Sequence, residues 1–272
     1  MPSLQPHHII DLYCLVDDIV PTIEKPQGGR PTLLSSSELI TLLVWNTLVL
    51  KQQTLKDLHG WIQLYHTADF PHLPHYSAFV DHCHRVIPLL VLLLQHLLHY
   101  HAHVRFLDST MLPVCTNERA SRHRVARSVA AWGKNHQGWH YGFKLHLAID
   151  HIGKLCGLIF TPADVYDAQM IPHIVNTYTK VAVGDSHYGA RVMRQKVFTL
   201  FGTLVITPPH WKQTRKLMTQ WQHTLLSWRP KIESVFDYLK EHLHLVSSFP
   251  RSIAGYFLHY LRILTGYQLM HG

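Results

Sequence analysis

Acidic residues are scarce and unevenly placed. The 272-residue chain has 17 Asp and Glu against 25 Lys and Arg, and none of the acids falls between Asp185 and Glu233 or between Arg119 and Ile149. Charged residues of both signs make up only 15% of the chain and apolar residues 47%, which excludes an intrinsically disordered protein. No run reaches the roughly 18 apolar residues that span a bilayer. The longest candidates, Leu39 to Leu50 and Ile87 to Leu94, are read as buried helices, since Asn46 interrupts the first and Pro88 enters the second. The opening Met-Pro-Ser-Leu-Gln-Pro-His-His lacks the basic and apolar regions of a signal peptide, so a cytoplasmic protein with no membrane partner is expected. Cys14, Cys83, Cys115 and Cys156 form no C-x-x-C pair, which excludes a zinc ribbon and a disulfide framework. The cluster His82-Cys83-His84 is a poor metal site, because adjacent helical residues point to different faces. No Gly-rich phosphate loop, nucleophilic Ser or Cys motif or dinucleotide fingerprint is present.

What the chain does have is segregated positive charge. Residues 1 to 108 carry 6 Lys and Arg against 9 Asp and Glu, and residues 109 to 272 carry 19 against 8. The two acid-free stretches hold Arg191, Arg194, Lys196, Lys212, Arg215, Lys216, Arg229 and Lys231 in one, and Arg119, Arg122, Arg124, Arg127, Lys134 and Lys144 in the other. Charge gathered in this way fits a polyanionic substrate.

Helical spacing dominates up to residue 101. Ser35 to Ser37 offer a cap before Glu38 and the stripe Leu39, Leu42 and Leu43. Thr54 to Tyr65 and Ser77 to Val86 are two further helices, the latter capped by Ser77. This N-terminal domain, residues 1–101, is expected to serve DNA binding through a helix-turn-helix or dimerisation. Strands follow. Val104, Phe106 and Asp108 share one face, Tyr141, Phe143, Leu145 and Leu147 a second, and Leu155 to Phe160 form a third strand. A helix capped by Asp167 is expected to run to Tyr178, followed by a strand Val181 to Val183, a helix Tyr188 to Val197, a strand Thr203 to Ile206 and a helix bearing Glu233. The order β-β-β-α-β-α-β-α predicts an α/β fold, a ribonuclease-H-like domain with a mixed sheet and flanking helices over residues 102–272. Within it lies a basic insertion around 208–228, and Ile253 to Met270 is the closing helix.

Three carboxylates stand out. Asp108 and Asp185 each end an apolar strand, and Glu233 lies on a helix whose Ile232, Val235, Phe236 and Leu239 recur at helical spacing. Carboxylates at the ends of buried strands are poorly solvated and repel one another unless a cation joins them. Two Mg²⁺ ions, for which Mn²⁺ can substitute, are the expected partner, with Asp108 bridging and Asp185 and Glu233 completing one ion each. Two such ions about 3.5–4 Å apart activate the attacking oxygen and stabilise the leaving oxygen of an in-line phosphoryl transfer. Arg229, four residues before Glu233, and Lys240, seven after it, project from the same helix face and are placed to contact phosphates. Trp211, Trp221 and Trp228 are read as core residues, Asp237 as a solvated helix position, and Asp164 and Asp167 as a loop residue and a cap.

The motifs Leu-Asp108-Ser, Tyr141-Gly-Phe-Lys-Leu-His, Thr161-Pro-Ala-Asp, Gly184-Asp185-Ser-His-Tyr188 and Arg229-Pro-Lys-Ile-Glu233 with Lys240, then Arg251-Ser, resemble the DDE transposases of bacterial insertion sequences. The nearest likeness is to the family founded by insertion sequence 982. With Phe70-Pro-His-Leu-Pro-His-Tyr-Ser-Ala-Phe79 the resemblance covers nearly the whole chain. It implies Asp108, Asp185 and Glu233 as catalytic triad and metal ligands, and Arg229 and Lys240 as the basic residues of the Arg-Glu-Lys signature. It also implies DNA as partner, both transposon terminal inverted repeats and target, with a homodimer in the DNA complex. Lys231, Lys212, Arg215, Lys216, Lys144 and Arg191 are further expected DNA contacts. Two positions depart from the pattern: Leu226 stands where relatives often have Tyr, and His187 where they have Gly, which tolerates a positive φ that His does not. The expected activity is metal-dependent cleavage at transposon ends and strand transfer. The alternatives are a nuclease of the same fold that does not join strands and a catalytically silent DNA-binding protein.

Overall fold

The protein, described from a computed structural model over residues 9–24, 32–51, 54–135, 137–209, 217–247 and 250–271, folds as two units. One is assembled from both parts of the chain that flank the other: Met1–Leu97 joins Leu243–Gly272, and Leu98–His242 stands by itself.

In the first unit, α1 (Ile9–Ile23), α2 (Ser36–Trp45), α3 (Leu55–Tyr65), α4 (Tyr76–Arg85) and α5 (Ile87–Leu97) follow one another. The start of α2 is fixed reciprocally: Glu38 N donates to Ser35 Oγ at 3.1 Å and Ser35 N to Glu38 Oε2 at 2.7 Å, a capping box that satisfies two otherwise orphan donors. α2 continues through wider, π-type turns over Asn46–Leu50 and stops at Lys51, in the left-handed region at φ 54. Thr54 caps α3 through Asp57 N. α4 begins one residue before the expected Ser77, with His75 as its N-cap. Pro88 falls in the first turn of α5, where its missing N–H would have had no partner.

The second unit is built on six strands: β1 (Val104–Pro113), β2 (Ala131–Asn135), β3 (Gly138–Ile149), β4 (Leu155–Pro162), β5 (Val181–Val183) and β6 (Leu204–Ile206). The order is β4-β3-β1-β5-β6, antiparallel as far as β1 and parallel beyond it. This is the ribonuclease-H-like arrangement expected from the element order. β3 is long enough to pair with β2 over Gly138–Gly142 and with β4 over Phe143–Ile149. β2 was not expected from the sequence.

One face of the sheet carries Leu107, Ala148, Ala182 and Val205, covered by α6 (Ile171–Ile174) and α7 (Arg191–Phe201) through Ile171, Ile174 and Val197. The helix expected from Asp167 to Tyr178 ends at Ile174. Asn176 Oδ1 takes the amides of Tyr178 and Thr179 at 3.0 and 3.2 Å, closing an Asx turn that competes with further helix. α7 starts at Arg191 rather than Tyr188, because Ser186–Tyr188 forms a separate 3₁₀ turn, and Gly202 at φ 67 stops it. Beneath these helices Arg105, 2% exposed, has no acidic partner among the described residues. Its guanidinium donates instead to the carbonyls of Cys156, Ile174 and Tyr100 at 3.0, 2.9 and 2.8 Å. α8 (Gln220–Trp228) and α9 (Pro230–Asp237) follow, and α9 widens into π-type turns over Tyr238–His242.

α10 (Ile253–His271) returns to the first unit. It is buried almost all round from Tyr256 to Leu269 and packs chiefly on α5, with α2 and α4 beside it. The sequence reading assigns this helix to the domain 102–272. A helix apolar on every side has to be enclosed by other helices, and those of the first unit enclose it. Gln268 Nε2 donates to Leu97 O at 2.8 Å, tying it to the end of α5.

Candidate active site

Register brings the two aspartates together. β1 and β5 run parallel with Phe106 opposite Val183, and Asp108 and Asp185 each lie two residues further along their own chain. On its other edge β1 stays paired with β3, Asp108 opposite Leu147. Alternation puts Asp108 on the face of Phe106, opposite the Leu107 core. α9 packs against β1 and buries the expected stripe of Ile232, Val235 and Phe236, which delivers Glu233 and, at the start of the helix, Arg229.

Arg229 links two of the three carboxylates. Its Nη2 lies 3.1 Å from Asp108 Oδ2 and its Nη1 2.8 Å from Glu233 Oε1. The side chain of Asp108 is 17% exposed and that of Glu233 53%. Burial raises the Asp108 carboxyl to about 6, against the opposing pull of Arg229 and of the Ser109 amide on Oδ1; Asp185 and Asp167 push it further up. A buried carboxylate in this state is short of positive charge. Asp185 Oδ1 accepts the His187 amide and Oδ2 meets His187 Nδ1, both at 2.8 Å, which raises the imidazole pKa. The replacement of Gly by His at this position needs no left-handed backbone, since among the described residues the non-glycine positions of positive φ are Lys51 and His244. The His side chain folds back onto the aspartate instead.

A second group of polar residues supports Asp108 from below. Asp167 Oδ1 accepts from Ser109 Oγ at 2.9 Å and from Lys144 Nζ at 3.1 Å, while Lys144 also donates to Val165 O at 2.8 Å. His146, fully buried, bonds Thr161 Oγ1 at 3.0 Å, with Nδ1 3.7 Å from Asp167. Burial holds this imidazole neutral by lowering its pKa to about 4. Asp167 is therefore not the expected helix cap, and Lys144 is not an outward DNA contact: its ammonium is committed to a nearly buried ion pair. The sequence signal was available. Lys144 and His146 alternate on one face of an otherwise apolar strand, and a lysine buried there requires a carboxylate.

The other expected contacts divide. Lys231 and Arg191 are exposed at the starts of α9 and α7. Lys240 is half-buried in the π-type turns; burial lowers its pKa against the attraction of Asp237, Glu241 and Asp108. Lys212, Arg215, Lys216 and Trp211 lie outside the described residues. Trp221 and Trp228, expected in the core, are each 50% exposed on α8, which presents only Leu225 inward. Asp237 and Asp164 are exposed.

All three carboxylates, from β1, the turn after β5 and α9, are hard oxygen donors of the kind a divalent cation takes, but in this arrangement their oxygens do not all lie within 4.8 Å of one another, and Arg229 stands between two of them. No curated protein matches the chain. Two solved structures resemble it faintly, a pre-cleavage Mos1 transpososome and the Mos1 mariner paired end complex with Mn. Each is 14% identical at a TM-score of 0.22, over 90% and 95% of this chain and 81% and 84% of theirs. The family whose model matches is described as the transposase DDE domain, over residues 100–253. That span is more than half the sequence and contains Asp108, Asp185 and Glu233: the chain belongs to the family of transposase DDE domains.

Proposed function

We propose that this transposase cuts DNA at the ends of its element and joins the freed 3′-hydroxyl to target DNA, with Asp108, Asp185 and Glu233 as ligands of two Mg²⁺ ions. The observation that carries the reading is the meeting of Asp108 and Glu233 on Arg229, beside an Asp185 placed by strand register. When bound, the ions supply Lewis acidity at the reacting phosphate and neutralise its developing charge. The protein's own groups do the rest. Asp167, through Ser109, fixes the strand that bears Asp108. Lys231 and Arg191 offer exposed positive charge to the flanking phosphates, and Arg229 and Lys240 hold charge close to the carboxylates. Action on two element ends favours a homodimer in the DNA complex.

The test is cleavage and joining of duplex DNA carrying the element's terminal inverted repeats, in Mg²⁺ and in Mn²⁺. Asp108→Asn, Asp185→Asn and Glu233→Gln should each lose both steps while still binding DNA. Full activity in all three variants would refute the assignment. Cleavage by the unsubstituted protein with no joined product would make it a nuclease of this fold.

A further inference from the structure

The first unit contains a cavity of about 590 Å³ lined by Lys56, Arg251 and Arg262 and by no carboxylate. Arg262 is the unusual member. It is 6% exposed and its Nη1 has no hydrogen-bond partner among the described residues, while Nη2 bonds His259 Nδ1 at 3.2 Å. His259 in turn bonds the carbonyl of His244 through Nε2 at 3.0 Å. The imidazole therefore donates at Nε2 and accepts at Nδ1, is neutral, and leaves the guanidinium without a counter-charge. Burial lowers the Arg262 pKa to about 10, against only the weak opposing influence of Cys83. An uncompensated buried cation is costly, and this one lines a space large enough for a ligand.

The cavity meets the start of α3, through Thr54 and Leu55, and the start of α10, through Ser252 and Gly255. Both helix starts, of 11 and 19 residues, are already capped: Thr54 Oγ1 accepts the Asp57 amide and donates to the Asp57 carboxylate, and Ser252 Oγ accepts the Gly255 amide. Lys56 and Arg251 stand exposed at its edge. Arg251 and Ser252, part of the sequence likeness, both line the cavity.

We propose that this cavity binds a phosphate group, held by Arg262 at its base and by Lys56 and Arg251 at its mouth. A phosphate offers the acceptor oxygens that the unpartnered guanidinium nitrogen of Arg262 requires. The volume leaves room for the sugars on either side of a backbone phosphodiester, and a free phosphate presents the same chemistry. The cavity shares no residue with the DDE carboxylates.

The test uses the full chain without divalent metal, so that cleavage plays no part. Inorganic phosphate is titrated against the thermal melt, and duplex DNA is bound over a range of salt. The probes are the surface variant Lys56→Glu/Arg251→Glu, the charge control Lys51→Glu outside the cavity, and Arg262→Met. Phosphate should raise the melting temperature of the unsubstituted protein and of the control but not of the double variant. If the phosphate comes from DNA, the double variant should lose about tenfold or more in duplex affinity, and its log K against log salt should flatten by about 2. A phosphate-dependent melt with unchanged DNA binding assigns the cavity to the free ion. Absence of any phosphate shift together with an unchanged salt slope overturns the proposal, whether or not Arg262→Met folds. Because none of these readouts involves cleavage, their failure is separate from a failure of the catalytic reading.

Discussion

Arg229 and Asp108 are distant in sequence and joined in the fold, with Nη2 3.1 Å from Oδ2. The same guanidinium holds Glu233 at 2.8 Å, so a fixed positive charge stands between two carboxylates expected to hold metal. Such a charge competes with a metal ion for the same oxygens while relieving the mutual repulsion of the carboxylates. Arg229→Gln should therefore bind Mn²⁺ more tightly, by several-fold and by about thirtyfold at most if each partly exposed pair is worth up to about 1 kcal/mol. DNA cleavage should fall in the same variant. Mn²⁺ titration followed by electron paramagnetic resonance checks the first effect, and equal or weaker binding would contradict it.

Gly184 precedes Asp185 and lies under the Tyr188 ring. A Cβ there would stand 2.8 Å from the ring carbons Cγ and Cδ2, and Tyr188 is 1% exposed with nowhere to move. Gly184→Ala should cost about 1–3 kcal/mol by overpacking and displace the Asp185 turn. Cleavage should therefore drop further than the folded fraction does. Thermal melts run beside cleavage assays separate the two losses.

Arg105 serves three backbone carbonyls through one planar fork. Lysine cannot reproduce that geometry; Tyr100 O keeps Asn176 Nδ2, but a buried carbonyl left without a donor at Cys156 or Ile174 costs about 1–3 kcal/mol. Arg105→Lys should shift the urea midpoint downward with an unchanged slope. A midpoint equal to that of the unsubstituted protein would show the fork to be dispensable.

His259 is held neutral, burial and the neighbouring Arg262 lowering its pKa to about 3. In the unfolded chain it takes up a proton near its ordinary 6.5. The unfolded state therefore binds more protons between those values, and stability present above pH 6.5 is lost as pH falls toward 3. His259→Gln can keep a donor for His244 O and an acceptor for Arg262 without titrating. Its melting temperature should decline less steeply than that of the unsubstituted protein between pH 6.5 and 4, and parallel curves would count against the assignment.

The strands legible in the sequence are those with apolar runs or alternation, β1, β3, β4, β5 and β6. β2 was not, because Ala131-Trp-Gly-Lys-Asn reads as loop; Gly133 is there because a Cβ would stand 2.3 Å from Ala163 O, a constraint visible only in space. The carboxylates were legible as acids closing apolar runs. Arg229 was legible only halfway: its spacing to Glu233 is local and periodic, and its reach to Asp108 depends on how α9 lies on β1. Lys144 was counted among outward charges because a charge tally cannot see burial. The tryptophans of α8 erred the other way, since hydrophobicity alone does not say which face of a helix has a partner.

The placement of α10 sets an order on biosynthesis. Residues 98–242 form a unit from one continuous stretch, but the helical unit waits for its last helix. At bacterial-type elongation of about 5–20 residues per second, α10 follows α5 out of the ribosome by a delay on the order of 10–30 s. For that interval α5, whose Leu90, Leu93 and Leu94 are fully or almost fully buried in the finished protein, lacks its chief packing partner. A nascent chain arrested before residue 253 should accordingly be a substrate for hydrophobic-binding chaperones through its N-terminal helices, while the unit that carries the DDE residues is already closed.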